Sequence, residues 1–166
     1  MPVKHICSHI TKEAAGIRLL LLFIALCCSN SCDRSDESIV PSYPVFIELR
    51  TDNTASALVS PGGYMIFTKI SNEAKAIGYG GVLIIRGVTE QNEIYAYDLT
   101  CPVENKQSVK LTIQDGIKLH CSKCGSEFGN ILYGNPVASA GQAMEQKRTL
   151  RRYAAYYSGN TITVHN

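Results

Sequence analysis

The sequence predicts an all-β fold, a small antiparallel β sandwich or barrel that carries two cysteine loops. Three observations predict it. Short apolar segments of strand length recur through residues 45–166, separated by turn residues. Two of the gaps, Asp115-Gly116 and Gly159-Asn160, are of the kind that closes hairpins. No stretch of that region holds a convincing helical period, and nine tyrosines with many Val, Ile and Thr favour strands.

The elements follow in order. "VFIELR" (Val45–Arg50) reads as a short strand. "SPGGYMIFTKI" supplies a turn at 60–63 and then a strand through Ile66 and Phe67. "GGVLIIRG" (80–87) is a continuous apolar strand, and "NEIYAYDL" (92–99) pairs with it across the short "VTEQ" connection. "SVKLTI" and "IKLHC" alternate on either side of the Asp115-Gly116 turn, and "RTLRRYAAYYS" and "TITVHN" flank Gly159-Asn160. There is no internal repeat and no low-complexity tract.

Residues 1–32 are a different kind of sequence. Lys4, Lys12 and Arg18 precede "LLLLFIALCC", an apolar run of ten that is short for a bilayer span but suits the core of a signal peptide. The run ends in "ALCCSNSC", which resembles the lipobox of bacterial lipoproteins. The resemblance implies lipidation at Cys32, with Cys28 as the alternative, and a membrane partner through the lipid anchor in the bacterial cell envelope. A cleaved, soluble exported form is the competing reading. Residues 33–44, "DRSDESIVPSYP", read as a polar tether ahead of a domain at 45–166.

The formal charge of +2 resides in the signal segment, and the remainder is balanced, so nothing asks for a nucleic-acid partner. The basic group Lys147, Arg148, Arg151 and Arg152 reads as a solvated strand face. No Ser-His-Asp, paired-carboxylate or phosphate-cradling pattern gives a hydrolase or nucleotide reading a foothold.

Chemistry concentrates in three cysteines, Cys101 in "YDLTCPVE" and Cys121 and Cys124 in "LHCSKCGSEFGN". A Cys-x-x-Cys pair in an exported protein serves a metal, a disulfide or a redox couple. The redox couple wants a helix start at its second cysteine, and "CGSEFGN" with its two glycines is a poor one.

With "LHCSKCGSEFGNILYGNPVASAGQA" and the closing "LRRYAAYYSGNTITVHN", these loops resemble a Rieske iron–sulfur domain over about residues 45–166. That family carries Cys-x-His in one loop and Cys-x-x-His-Gly in a second, and the seventeen residues between Val103 and Cys121 match its spacing. The resemblance implies a [2Fe–2S] cofactor, electron transfer and a redox partner protein. It aligns Cys101 and Cys121 with the family's two cysteines and Ser126 with a serine that bonds a cluster sulfur.

The ligands depart from the family. Val103 stands at the first histidine and has no lone pair; Cys124 stands at the second and offers a thiolate. Without imidazoles, the high potential of an ordinary Rieske centre is not expected. Glu104 is a candidate carboxylate donor, whereas His120 neighbours Cys121 on a strand and so points to the opposite face. Three thiolates with one weaker donor also suit zinc. A scaffold without metal, clamped by a disulfide from Cys101 to Cys121 or Cys124, is the remaining alternative.

Overall fold

The computed structural model describes residues 38–166, with residue 117 left out. The expected signal segment 1–32, its lipidation cysteine and the first part of the tether lie outside the described residues. The strands are β1 (Val45–Arg50), β2 (Tyr64–Phe67), β3 (Ala74–Ile77), β4 (Val82–Arg86), β5 (Ile94–Asp98), β6 (Thr112–Gln114), β7 (Lys118–His120), β8 (Glu127–Gly129), β9 (Val137–Ala140), β10 (Arg152–Ser158) and β11 (Thr161–His165). One short helix, α1 (Gly141–Glu145), stands between β9 and β10. No helix among the described residues is long and apolar enough to cross a membrane.

The expected all-β architecture is what the described residues adopt. Seven antiparallel strands in the order β2-β4-β5-β10-β11-β1-β3 make a nearly closed, barrel-like sheet, and β6-β7-β8-β9 make a second, smaller one. The hairpins fall where the turn residues placed them. Asp115 and Gly116 both take positive φ (52° and 68°) between β6 and β7. Gly159 (φ 58°) opens the two-residue connection between Ser158 and Thr161.

Strand β4 explains how the molecule carries two cores. Its continuous apolar run is buried on both faces, which alternation along a strand sends in opposite directions. Val82 and Ile84 face the barrel interior with Ile47, Leu49, Ile162 and Val164. Leu83 and Ile85 face a second core with Tyr97, Leu119, Phe128 and Ile131. Strand β5 repeats the division, with Ile94 and Ala96 inward and Tyr97 outward. The small sheet therefore covers the outer face of β4 and β5, and the second core lies between.

Three features differ from the sequence reading. Strands β3, β8 and β9 and helix α1 join the expected set. The tether expected over 33–44 is docked from Ser38 onward: Ser38 and Val40 are buried, and Arg151 donates from Nε to the Val40 carbonyl (2.6 Å) and from Nη2 to that of Ser38 (3.2 Å). Arg151 is thereby half-buried and turned to the chain, not to solvent as a member of a solvated face.

Candidate metal centre

Two loops meet at the edge of the second core. The first leaves β5 through Asp98, a buried carboxylate that accepts from the Tyr153 hydroxyl (2.6 Å) and the amides of Thr100 (2.7 Å), Tyr79 (2.9 Å) and Gly80 (3.2 Å). These four donors satisfy a charge that burial would otherwise make costly, and they pin the backbone one residue ahead of Cys101. The Cys101 amide then donates to the Val109 carbonyl (3.0 Å). Cys101 opens a tight turn in which the Asn105 amide donates to the Cys101 carbonyl (2.8 Å), with Asn105 at φ 46°. Buried Pro102 suits its second position, where a fixed φ is useful and no amide proton is needed.

The second loop leaves β7 and has the same plan. The Gly125 amide donates to the Cys121 carbonyl (2.9 Å), and Gly125 takes φ 67°, a conformation that glycine adopts without steric cost. The Cys121 amide donates to the Ser126 carbonyl (2.9 Å), and the chain turns directly into β8.

The loops bring Cys101, Cys121 and Cys124 together, with all three Sγ atoms within 4.8 Å of one another. All three are free thiols, and Cys101 Sγ lies 3.5 Å from Cys124 Sγ. Cys101 and Cys121 are fully buried, while Cys124 is half-buried and forms the outer side of the group. Three thiols so placed are a site that can bind a metal ion.

Their protonation is unequal. Burial pushes the Cys101 thiol up to about 12, against the pull of the Glu104 and Val103 amides. Burial acts on Cys124 as well, but there the Ser126 hydroxyl and amide and the two neighbouring thiols outweigh it, and the thiol lies below its ordinary value. Ser126 Oγ accepts from the Ala143 amide (3.0 Å), which leaves its own proton for Cys124 Sγ at 3.0 Å. Of these two thiols, Cys124, the more exposed, therefore ionises before Cys101.

The remaining candidates fall around this core. Ser126 is where the sequence pointed, fully buried and bonded to Cys124. Glu104 belongs to the first loop, and its carboxylate pairs with Lys123 of the second (3.1 Å), outside the thiol group. Val103 packs against the second core. His120 lies in β7 opposite Thr112 and Glu127 and is not among the clustered donors. Asp98, Lys123 and the Ala143 amide escaped the sequence reading. Helix α1, which carries that amide, has no periodic signal at five residues.

The three thiols supply three of the four protein donors that a tetrahedral ion or a binuclear cluster takes. Tetrahedral zinc with Zn–S of about 2.3 Å separates its sulfurs by roughly 3.8 Å, near the 3.5 Å between Cys101 and Cys124 Sγ. A [2Fe–2S] cluster needs four protein donors shared between two irons, and Val103 supplies none. Comparison with known proteins gives no match to a family model and none to a curated protein.

Proposed function

We propose that this chain is a metal-binding module of the bacterial cell envelope, lipid-anchored at Cys32, that holds one soft ion, zinc in the first instance, between Cys101, Cys121 and Cys124. The observation that carries the reading is the convergence of three thiols within 4.8 Å at the meeting of two matched turns. Zinc is redox-inert, so the module's role is binding or structural: the ion clamps the small sheet's loop to the barrel's loop. Because thiolates are the ligands, uptake releases protons and weakens as pH falls.

A second reading, electron transfer through an atypical [2Fe–2S] centre to a partner protein, rests on the order and spacing of the two loops. Ser126 also favours it, since hydrogen bonds to sulfur tune iron–sulfur potentials. Metal and sulfide analysis of the full chain purified without oxygen separates the two. One zinc per chain, lost when any of the three cysteines becomes serine, is the expected result. Iron with inorganic sulfide and visible charge-transfer absorption replaces it with the electron-transfer reading, and no metal after reconstitution with either overturns both.

A further inference from the structure

The two cysteine turns share one hydrogen-bond plan, and the register it sets between them points to a partner for the three thiols. Each begins at a buried cysteine and closes with an amide four residues on donating to that cysteine's carbonyl, at 2.8 Å in one and 2.9 Å in the other. Each ends on a residue in the left-handed region, Asn105 at 46° and Gly125 at 67°. In this register Cys101 matches Cys121, Val103 matches Lys123, and Glu104 matches Cys124. The position from which the second turn delivers its outer sulfur is thus the position at which the first turn carries a carboxylate.

A tetrahedral ion wants four donors, and zinc accepts a carboxylate oxygen beside thiolates. In the structure the Glu104 carboxylate bonds Lys123 Nζ on the facing turn, with Glu104 largely buried and Lys123 half-exposed. An ion pair with one partner in solvent is cheap to break. We infer that Glu104 is the fourth donor and that Lys123 is its built-in competitor, so that metal binding exchanges the Glu104–Lys123 pair for a closed three-sulfur, one-oxygen site. This rests on the reading that the three thiols hold a metal, and it adds the closing ligand and a regulator of affinity.

Cobalt(II), which reports its ligands through visible bands, and zinc, by competition with a chelating indicator, test this on the full chain. Wild type is expected to show the spectrum of three thiolates with an oxygen donor. Glu104→Gln is expected to lose about 10–100-fold in zinc affinity and to change the cobalt bands. Glu104→Cys is expected to add thiolate-to-cobalt charge transfer and bind more tightly, a gain that general damage to the fold does not produce. Lys123→Met is expected to bind several-fold more tightly than wild type, and not when combined with Glu104→Gln. Wild-type affinity and spectrum in Glu104→Gln, with no added thiolate band in Glu104→Cys, overturn the assignment while leaving the metal site standing. No binding by the wild type removes the metal reading and this one with it.

Discussion

At the scale of single residues, the thiols are separated by what each one touches. Cys101 is sealed in the second core, whereas Cys124 Sγ lies within hydrogen-bond distance of the Ser126 hydroxyl and its proton. Ser126→Ala removes that proton and leaves the buried Ala143 amide without its acceptor, at a cost of about 1–3 kcal/mol. The alkylation rate of Cys124 against pH should then shift to higher pH, because the hydroxyl is among the causes that lower this thiol. An unchanged profile would mean that the Ser126 amide and the neighbouring thiols set it without the hydroxyl. Cys101 works in the opposite sense. Its folded value of about 12 lies above the ordinary 9.0, so the unfolded chain ionises first. Its contribution to stability is whole below about pH 9 and is lost as pH rises toward 12, by at most about 1.4 kcal/mol per pH unit for one proton. Urea unfolding of the chelator-treated protein at pH 8 and pH 10.5 should show the loss, and Cys101→Ala should flatten the difference.

At the scale of elements, β4 gives the sharpest test, because neighbouring residues of one strand serve different cores. Leu83→Ala and Ile84→Ala should each cost about 2–5 kcal/mol, since both side chains are fully buried. Only Leu83→Ala hollows the core that contains Cys101 and Cys121, so only it should speed alkylation of those thiols under native conditions. Equal acceleration in both variants would deny that the cores are separate. The same strand shows what was legible in the sequence. Val82–Arg86 reads as a strand from its apolar run, and the hairpins at Asp115 and Gly159 read from their turn residues, because those signals are local. Strand β3 is different: "NEAKAI" holds good helix formers, and it is a strand only because β1 offers it an edge. Strands β8 and β9 are three and four residues long, too short for any period to register. At Gly141 a Cβ would run into the Gly125 carbonyl, so α1 seats against the cysteine loop through a contact no local pattern announces. The three cysteines were legible as one group from loop order alone. The Glu104–Lys123 pair was not, because it exists only once the two turns face each other.

At the scale of the whole molecule, the docked segment ahead of β1 joins parts of the fold that the sheets leave apart. Arg151, on the approach to β10, holds the carbonyls of Ser38 and Val40, and Ser38 Oγ donates to the Thr149 carbonyl (3.1 Å). Asn105, the closing residue of the first cysteine turn, donates from its side-chain Nδ2 to the Ile39 carbonyl (3.5 Å). The segment that leads toward the proposed lipid anchor is therefore laid beside a cysteine loop, with one guanidinium holding its first residues and Asn166 and the Gly78 amide holding Ser42, Tyr43 and Pro44. Hydrogen bonds to a charged donor contribute about 1.5–3 kcal/mol, and this one is partly shielded from solvent. Arg151→Ala should release residues 38–41 without unfolding the barrel, whose core cluster includes none of them. Hydrogen exchange should then quicken at Val40 and in the 101–105 turn, and a protease should cut ahead of Val45 while β1 stays protected. Arg151→Lys, which keeps the charge but loses the fork that spans two carbonyls, should recover only part of the protection. Exchange unchanged at the cysteine turn would show that the segment is merely laid on the surface, and that it and the cysteine loops are independent.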